Sequence, residues 1–212
     1  MIRIPDGGRQ PARAGAPPGP GTGRRAGPGR LVACLALLVA AVLQPPPEAR
    51  AAAGGATLEQ RVKAAFLYKF AGYVEWPEDA FAQPGAPFTI AVIGAEPLAA
   101  ELTQAVRGRT VHDRSIAVKR LRSGEPLSGV HMLFVGADER ERLTTLVGTT
   151  QDRPILTVTE FDGALEAGSV INFVVTEQRV RFEVSLGAAE RSGLRLSSRL
   201  LAVAERVQRG DG

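Results

Sequence analysis

Gly168–Val207 reads GSVINFVVTEQRVRFEVSLGAAERSGLRLSSRLLAVAERV, and the architecture follows from it. Val170 to Thr176 is crowded with Val, Ile and Phe, the side chains that suit a buried strand. Glu177-Gln178 breaks the run, and Arg179 to Ser185 then alternates strictly. Val180, Phe182 and Val184 point one way, while Arg179, Arg181, Glu183 and Ser185 point the other. So short a link admits only an antiparallel hairpin, because a parallel return needs a long crossover. The second strand is half wetted, which places it at the edge of a sheet. Ser185 then caps a short helix through Leu186 to Arg191, and Gly193 stops it. Ser197 or Ser198 opens a second helix, with Leu200, Leu201, Ala204 and Val207 at helical spacing.

Upstream, Thr57-Leu58-Glu59-Gln60 is a capping-box pattern. Val62, Phe66, Phe70, Tyr73 and Val74 form the apolar stripe of a helix running to about Glu75, where Trp76-Pro77 ends it. That stripe either packs on the sheet or, together with Trp76, partly faces a partner. Pro87–Gly94 (PFTIAVIG) is a near-continuous apolar strand of the kind buried on both faces of a parallel sheet. Pro97 opens a helix with Leu98, Leu102, Ala105 and Val106 inside. Strands follow near Ile116–Leu121, His131–Gly136 and Pro154–Val158. Asp138 and Glu141 are read as the capping box of a helix with Leu143 and Leu146 inward. The order βαββαβαββαα predicts a single α/β domain. Its central sheet is mostly parallel and flanked by helices, and it ends in an antiparallel hairpin and C-terminal helices.

The first fifty residues differ in kind. Met1–Arg30 is dominated by Gly, Pro, Ala and Arg, and Leu31–Leu43 (LVACLALLVAAVL) is an apolar run too short for the ~20 residues of a bilayer span. Ala49-Arg50-Ala51 supplies a cleavage site, so 1–51 reads as a basic leader and secretory signal peptide. Residues 52–56 read as a linker, 57–208 as the domain and 209–212 as a disordered tail. The formal charge of +4 belongs to the leader, which holds seven Arg against Asp6 and Glu48; the remainder carries 19 basic and 20 acidic residues. Nucleic acid is therefore not a partner, since phosphate binding needs a basic field. The single cysteine, Cys34, leaves with the leader, and an exported, thiol-free periplasmic protein results.

Catalytic signatures are missing from the sequence. The two histidines, His112 and His131, are scattered, and without cysteine they make no zinc site. No G-x-S-x-G elbow or three-glycine dinucleotide fingerprint occurs. The reading is of a protein that is not an enzyme and needs no cofactor or metal. What remains is recognition. Arg181, Arg191, Arg195 and Arg199, with Glu183 among them and Trp76 nearby, form the candidate partner-binding set, since Arg beside aromatics is common at interface hot spots. The alternative is a solvated polar face whose ion pairs are worth ~0–1 kcal/mol each.

GSVINFV, RVRFEVSL and AERSGLRLSSRLL, together with KAAFLYKFAGYVEWP (Lys63–Pro77), resemble the YfiR family of periplasmic regulators over roughly Leu58 to Val207. The resemblance implies a repressor that binds the periplasmic sensor domain of an inner-membrane diguanylate cyclase, holds it inactive and lowers cyclic di-GMP. It further implies sequestration by an outer-membrane lipoprotein, and homodimerisation. Some relatives carry cysteine pairs that this chain lacks. A small-ligand-binding accessory module for a sensor kinase or transporter is the alternative, and it calls for a closed pocket where the repressor calls for an exposed patch.

Overall fold

The structure, a computed structural model, describes residues 56–210. The leader and signal-peptide reading of 1–51, all but the last residue of the linker and the final two residues of the tail lie outside the described residues. Helix α1 spans Leu58–Tyr73 and starts at the capping box: Gln60 N–H donates to the Thr57 hydroxyl at 3.2 Å, and Thr57 N–H donates to Gln60 Oε1 at 2.9 Å. The helix stops two residues earlier than the pattern predicts. Val74–Glu75 is a short strand, β1, pairing antiparallel with Arg195–Leu196 (β9). The most buried residues of α1 are Lys63, Ala64, Leu67, Phe70 and Ala71. The inward face is thus rotated from the expected stripe, leaving Val62 and Phe66 half-buried and Tyr73 exposed. Small Ala64 and Ala71 let α1 approach its neighbours closely, a signal that a count of large apolar residues overlooks.

Strands β2 (Phe88–Ile93), β3 (Thr110–Val111), β4 (Arg114–Arg120), β5 (Met132–Val135), β6 (Leu156–Thr159), β7 (Ile171–Thr176), β8 (Arg179–Ser185) and β10 (Arg206–Gln208) form one sheet in the order β10-β8-β7-β6-β5-β2-β4-β3. Neighbours from β4 through β7 run parallel. The β2, β5 and β6 strands are buried along their whole length: β2 and β5 are nearly continuous apolar runs between two covered faces, while β6 alternates Leu156 and Val158 with Thr157 and Thr159, whose hydroxyls are hydrogen-bonded. Helices α1, α2 (Glu96–Ala105), α4 (Leu186–Arg191) and α5 (Ser198–Leu201) share one apolar cluster with Ile90, Val92, Phe134 and Phe182. Helix α3 (Leu143–Gly148) closes the second cluster against Ala91, Ile93, Leu133 and Val135. That second cluster contains no residue of β6, β7 or β8, and from β6 onward this face carries Thr157, Thr159, Asn172, Arg181 and Glu183.

Three local expectations are corrected. The second C-terminal helix does not reach Val207: it ends at Leu201, and Arg206–Gln208 instead adds a strand parallel to β8. Glu205 N–H donates to Phe182 O at 2.8 Å and leads the chain onto the open side of β8. Consequently β8 is not the edge. It is half wet because its far face lies beyond the second cluster. Asp138 does not cap a helix; a 3-10 segment, Ala137–Arg142, precedes α3 with no side-chain cap.

The hairpin matches its reading to within one residue: the first strand starts at Ile171 instead of Val170, and Thr176 stands opposite Arg179. Glu177 and Gln178 both adopt positive φ, 50° and 58°, the mirror-image turn whose twist suits a two-residue loop. Ser185 caps α4 by accepting from Ala188 N–H at 3.3 Å, and Ser197 caps α5 by accepting from Leu200 N–H at 3.3 Å.

Candidate functional site

The pleat of β8 divides the predicted residues between two surfaces. Phe182 points toward α1, where its ring meets Phe70 edge-on with centroids 4.9 Å apart and Phe66 at 5.6 Å. By alternation Arg181 and Glu183 point to the opposite face. There Glu183 accepts two bonds from Arg206, Nε at 2.9 Å and Nη2 at 3.0 Å, while Arg181 lies 4.0 Å from Glu205. These two are engaged within the chain, in a network that Glu166 extends at 3.9 Å from Arg206.

Arg199 stands on the other surface. It rises from α5 over a cavity of about 380 Å³ walled by Phe66, Phe70 and Phe182, with Lys69, Tyr73 and Val203 at its mouth. Arg195 lies opposite Glu75 in the β1–β9 ladder, and Arg191 is exposed in the last turn of α4. The five charged residues thus do not make one face. A second cavity of about 600 Å³ continues from Phe66 toward the start of α1, lined by Leu58, Val62, Val175 and Val180 and flanked by Arg179. The two form one groove along α1. Among the described residues, Leu58 (71% exposed), Val203 (62%), Val175 (58%) and Tyr73 (38%) are four of the five large hydrophobic side chains left in solvent, and all four line it. Sequence reasoning missed Val175, Val203 and Lys69. The signal was available in Val175, an apolar residue beside a polar hairpin tip.

Trp76 is half-buried. Its indole N–H donates to His131 O at 3.2 Å and its ring packs edge-on against Phe88 at 4.9 Å, which ties it to the core. His131 is 4% exposed and sits between the Phe81 and Phe88 rings, stacked at 4.4 and 5.3 Å. Its Nδ1 accepts from Thr89 N–H at 3.0 Å and its Nε2 donates to Ala80 O at 3.2 Å, so the ring is neutral. Burial pushes its pKa below the ordinary histidine range. The Ala80 carbonyl opposes that shift, and the charges of Arg114 and Lys119 add to it.

A third feature lies at the carboxyl ends of β2, β5 and β6, where connections leave in opposite directions and α/β proteins commonly bind small molecules. A crevice of about 400 Å³ opens there, lined by Gly94, Pro97, Asp138 and the ends of Lys63, Glu59 and Glu160. Lys63 is 7% exposed and bonds to both Glu59 and Glu160 at 2.5 Å, and Glu160 also accepts from Ala137 N–H at 2.9 Å. Burial alone would lower the Lys63 pKa, but the hydrogen bonds to Glu160 and then Glu59 outweigh it and hold it above the ordinary lysine value. The β2 and β5 ends meet at two glycines: a Cβ on Gly136 would fall 2.2 Å from Gly94 O. Neither Lys63 nor Glu160 was singled out from the sequence, where a lysine in an apolar helix reads as solvated.

Among the described residues no helix is long and apolar enough to cross a membrane, and no group of three His, Cys, Asp or Glu side chains is arranged to hold a metal ion. Compared with known protein families, residues 60–205 match the family model described as YfiR/HmsC-like, a span well over half of the chain.

Proposed function

Because the chain belongs to the YfiR/HmsC-like family, we propose that it is a periplasmic, non-catalytic regulator of cyclic di-GMP signalling. It binds the sensor domain of an inner-membrane diguanylate cyclase and holds that enzyme inactive. The observation that carries the binding reading is the groove along α1, an exposed apolar strip whose Lys69 and Arg199 supply a cationic rim. Apolar centre plus polar rim is the anatomy of a protein interface, and exposed apolar residues gathered on one strip mark such a site. Arg199 is the member of the predicted set that reaches the groove, while Arg191 and Arg195 come earlier in the closing segment and do not line it.

Inhibition requires that the regulator bind one conformation of the cyclase better than the other; equal affinity shifts nothing. Taking the cyclase from mostly active to mostly inactive needs ~5.5 kcal/mol of differential affinity. A desolvated apolar groove with a few charge-assisted bonds supplies energies of that size, whereas isolated rim charges do not. The test is genetic: deleting the gene raises cellular cyclic di-GMP and the intact gene restores it. An unchanged level removes the reading.

The crevice around Lys63 favours a second reading, the small-ligand module. It has the expected place in the fold, but its most buried charge is already balanced by two carboxylates. Among the described residues the cations of the groove, Lys69 and Arg199, have no carboxylate balancing them, and the groove leads.

A further inference from the structure

Resting on the regulatory reading above, we propose that the groove takes an amphipathic helix of the partner's sensor domain, carrying two apolar anchors about two turns apart and carboxylates along its flanks. Three observations lead there. The groove lies over the face of the hairpin, not along a strand edge: Val175 stands opposite Val180 and Phe173 opposite Phe182, and their side chains project toward α1. An entering segment meets side chains and finds no ladder of backbone donors. An extended segment would leave its own amides and carbonyls unpaired against apolar walls, whereas a helix satisfies them internally.

The second observation is the spacing. Phe66 lines both cavities and stands as the partition between them. Val62 marks one well and Phe70 the other, eight residues apart on α1, which at helical rise is about 12 Å. A guest helix lying along α1 reaches both with side chains at i and i+7 or i+8. Volumes of about 600 and 380 Å³ accommodate large aliphatic or aromatic anchors.

The third is charge. Lys69 and Arg199 flank the second well, and among the described residues Glu59 is the one carboxylate lining either. An acidic guest is steered in and a basic one is repelled.

The test uses the purified protein and, as probe, the purified periplasmic sensor domain of the membrane diguanylate cyclase of the same cell. Val203→Glu and Val175→Glu alter side chains that are 62% and 58% exposed, so the fold survives, as an unchanged Tm verifies. Each weakens binding at least ~10-fold, while Arg181→Glu on the opposite surface leaves it within ~2-fold. Hydrogen exchange on the sensor domain shows the amides protected by complex formation confined to one helix with flanking carboxylates. Wild-type-like binding by both groove variants overturns the inference and leaves the regulatory reading standing. So does protection of a strand or loop in place of a helix, or a Val203→Glu variant that merely turns a dimer into monomers. If the wild-type protein does not bind the sensor domain at all, the regulatory reading falls first and the inference with it.

Discussion

The Phe182 ring on β8 meets the Phe70 ring on α1 edge-on at 4.9 Å, and this contact decides which side of the closing hairpin is free. Because Phe182 is held inward, its neighbours Arg181 and Glu183 must face away, and the groove that remains beside α1 belongs to Arg199. Both rings are almost fully buried. Phe182→Ala therefore costs roughly 3–5 kcal/mol through lost burial and the cavity left behind. Urea denaturation reads this directly, and a loss under ~1 kcal/mol would place the hairpin off α1.

Stability should fall as pH drops below the ordinary histidine pKa of about 6.5. His131 has a depressed pKa in the folded protein, so the unfolded chain takes up its proton first. The stabilisation is complete above the unfolded value and is lost as pH falls toward the folded one. Urea midpoints measured from pH 7.5 downward should decline in the wild type, and His131→Gln, though less stable, should flatten the upper part of that decline. An equal slope in both proteins assigns the pH dependence to other groups.

Lys63 ties α1 to the end of β6 through Glu160. Removing only the ammonium leaves a carboxylate with 16% of its side chain exposed and one backbone donor, Ala137 N–H. Lys63→Met should therefore cost ~3–5 kcal/mol, and adding Glu160→Gln should restore more than half of it. A double variant as unstable as the single one argues that Lys63 acts by packing alone.

Glu177 and Gln178 occupy left-handed backbone without the glycine or asparagine such a turn favours. Gln178→Gly should stabilise the fold by ~0.5–1 kcal/mol through relief of that conformation. Thermal unfolding with a higher Tm supports the turn assignment, whereas a lower Tm shows that the Gln178 side chain contributes more than its backbone costs.

Much of this architecture was legible because burial wrote it into the sequence. Ile90 and Leu133 sit in strands that are almost wholly apolar, and Val180, Phe182 and Val184 alternate with charges as a one-sided strand must. The elements that escaped are short and held by tertiary contact: β1 with β9, and β10, whose Arg206 and Gln208 carry no strand pattern and are placed by pairing to β8. The arginine set was read from sequence as one face, and the structure divides it. Arg181 and Arg199 look alike in sequence, and only the pleat of β8 and the placement of α5 put them on opposite surfaces. Lys63 was invisible because the carboxylate that permits its burial lies 97 residues away.

The most direct measurement is the rate at which the purified, membrane-reconstituted diguanylate cyclase forms cyclic di-GMP as this protein is added. The rate should fall saturably with the wild type and hold steady with Val203→Glu at the same concentrations. An undiminished rate once the wild-type protein has saturated the sensor domain would contradict the claim that binding itself silences the enzyme.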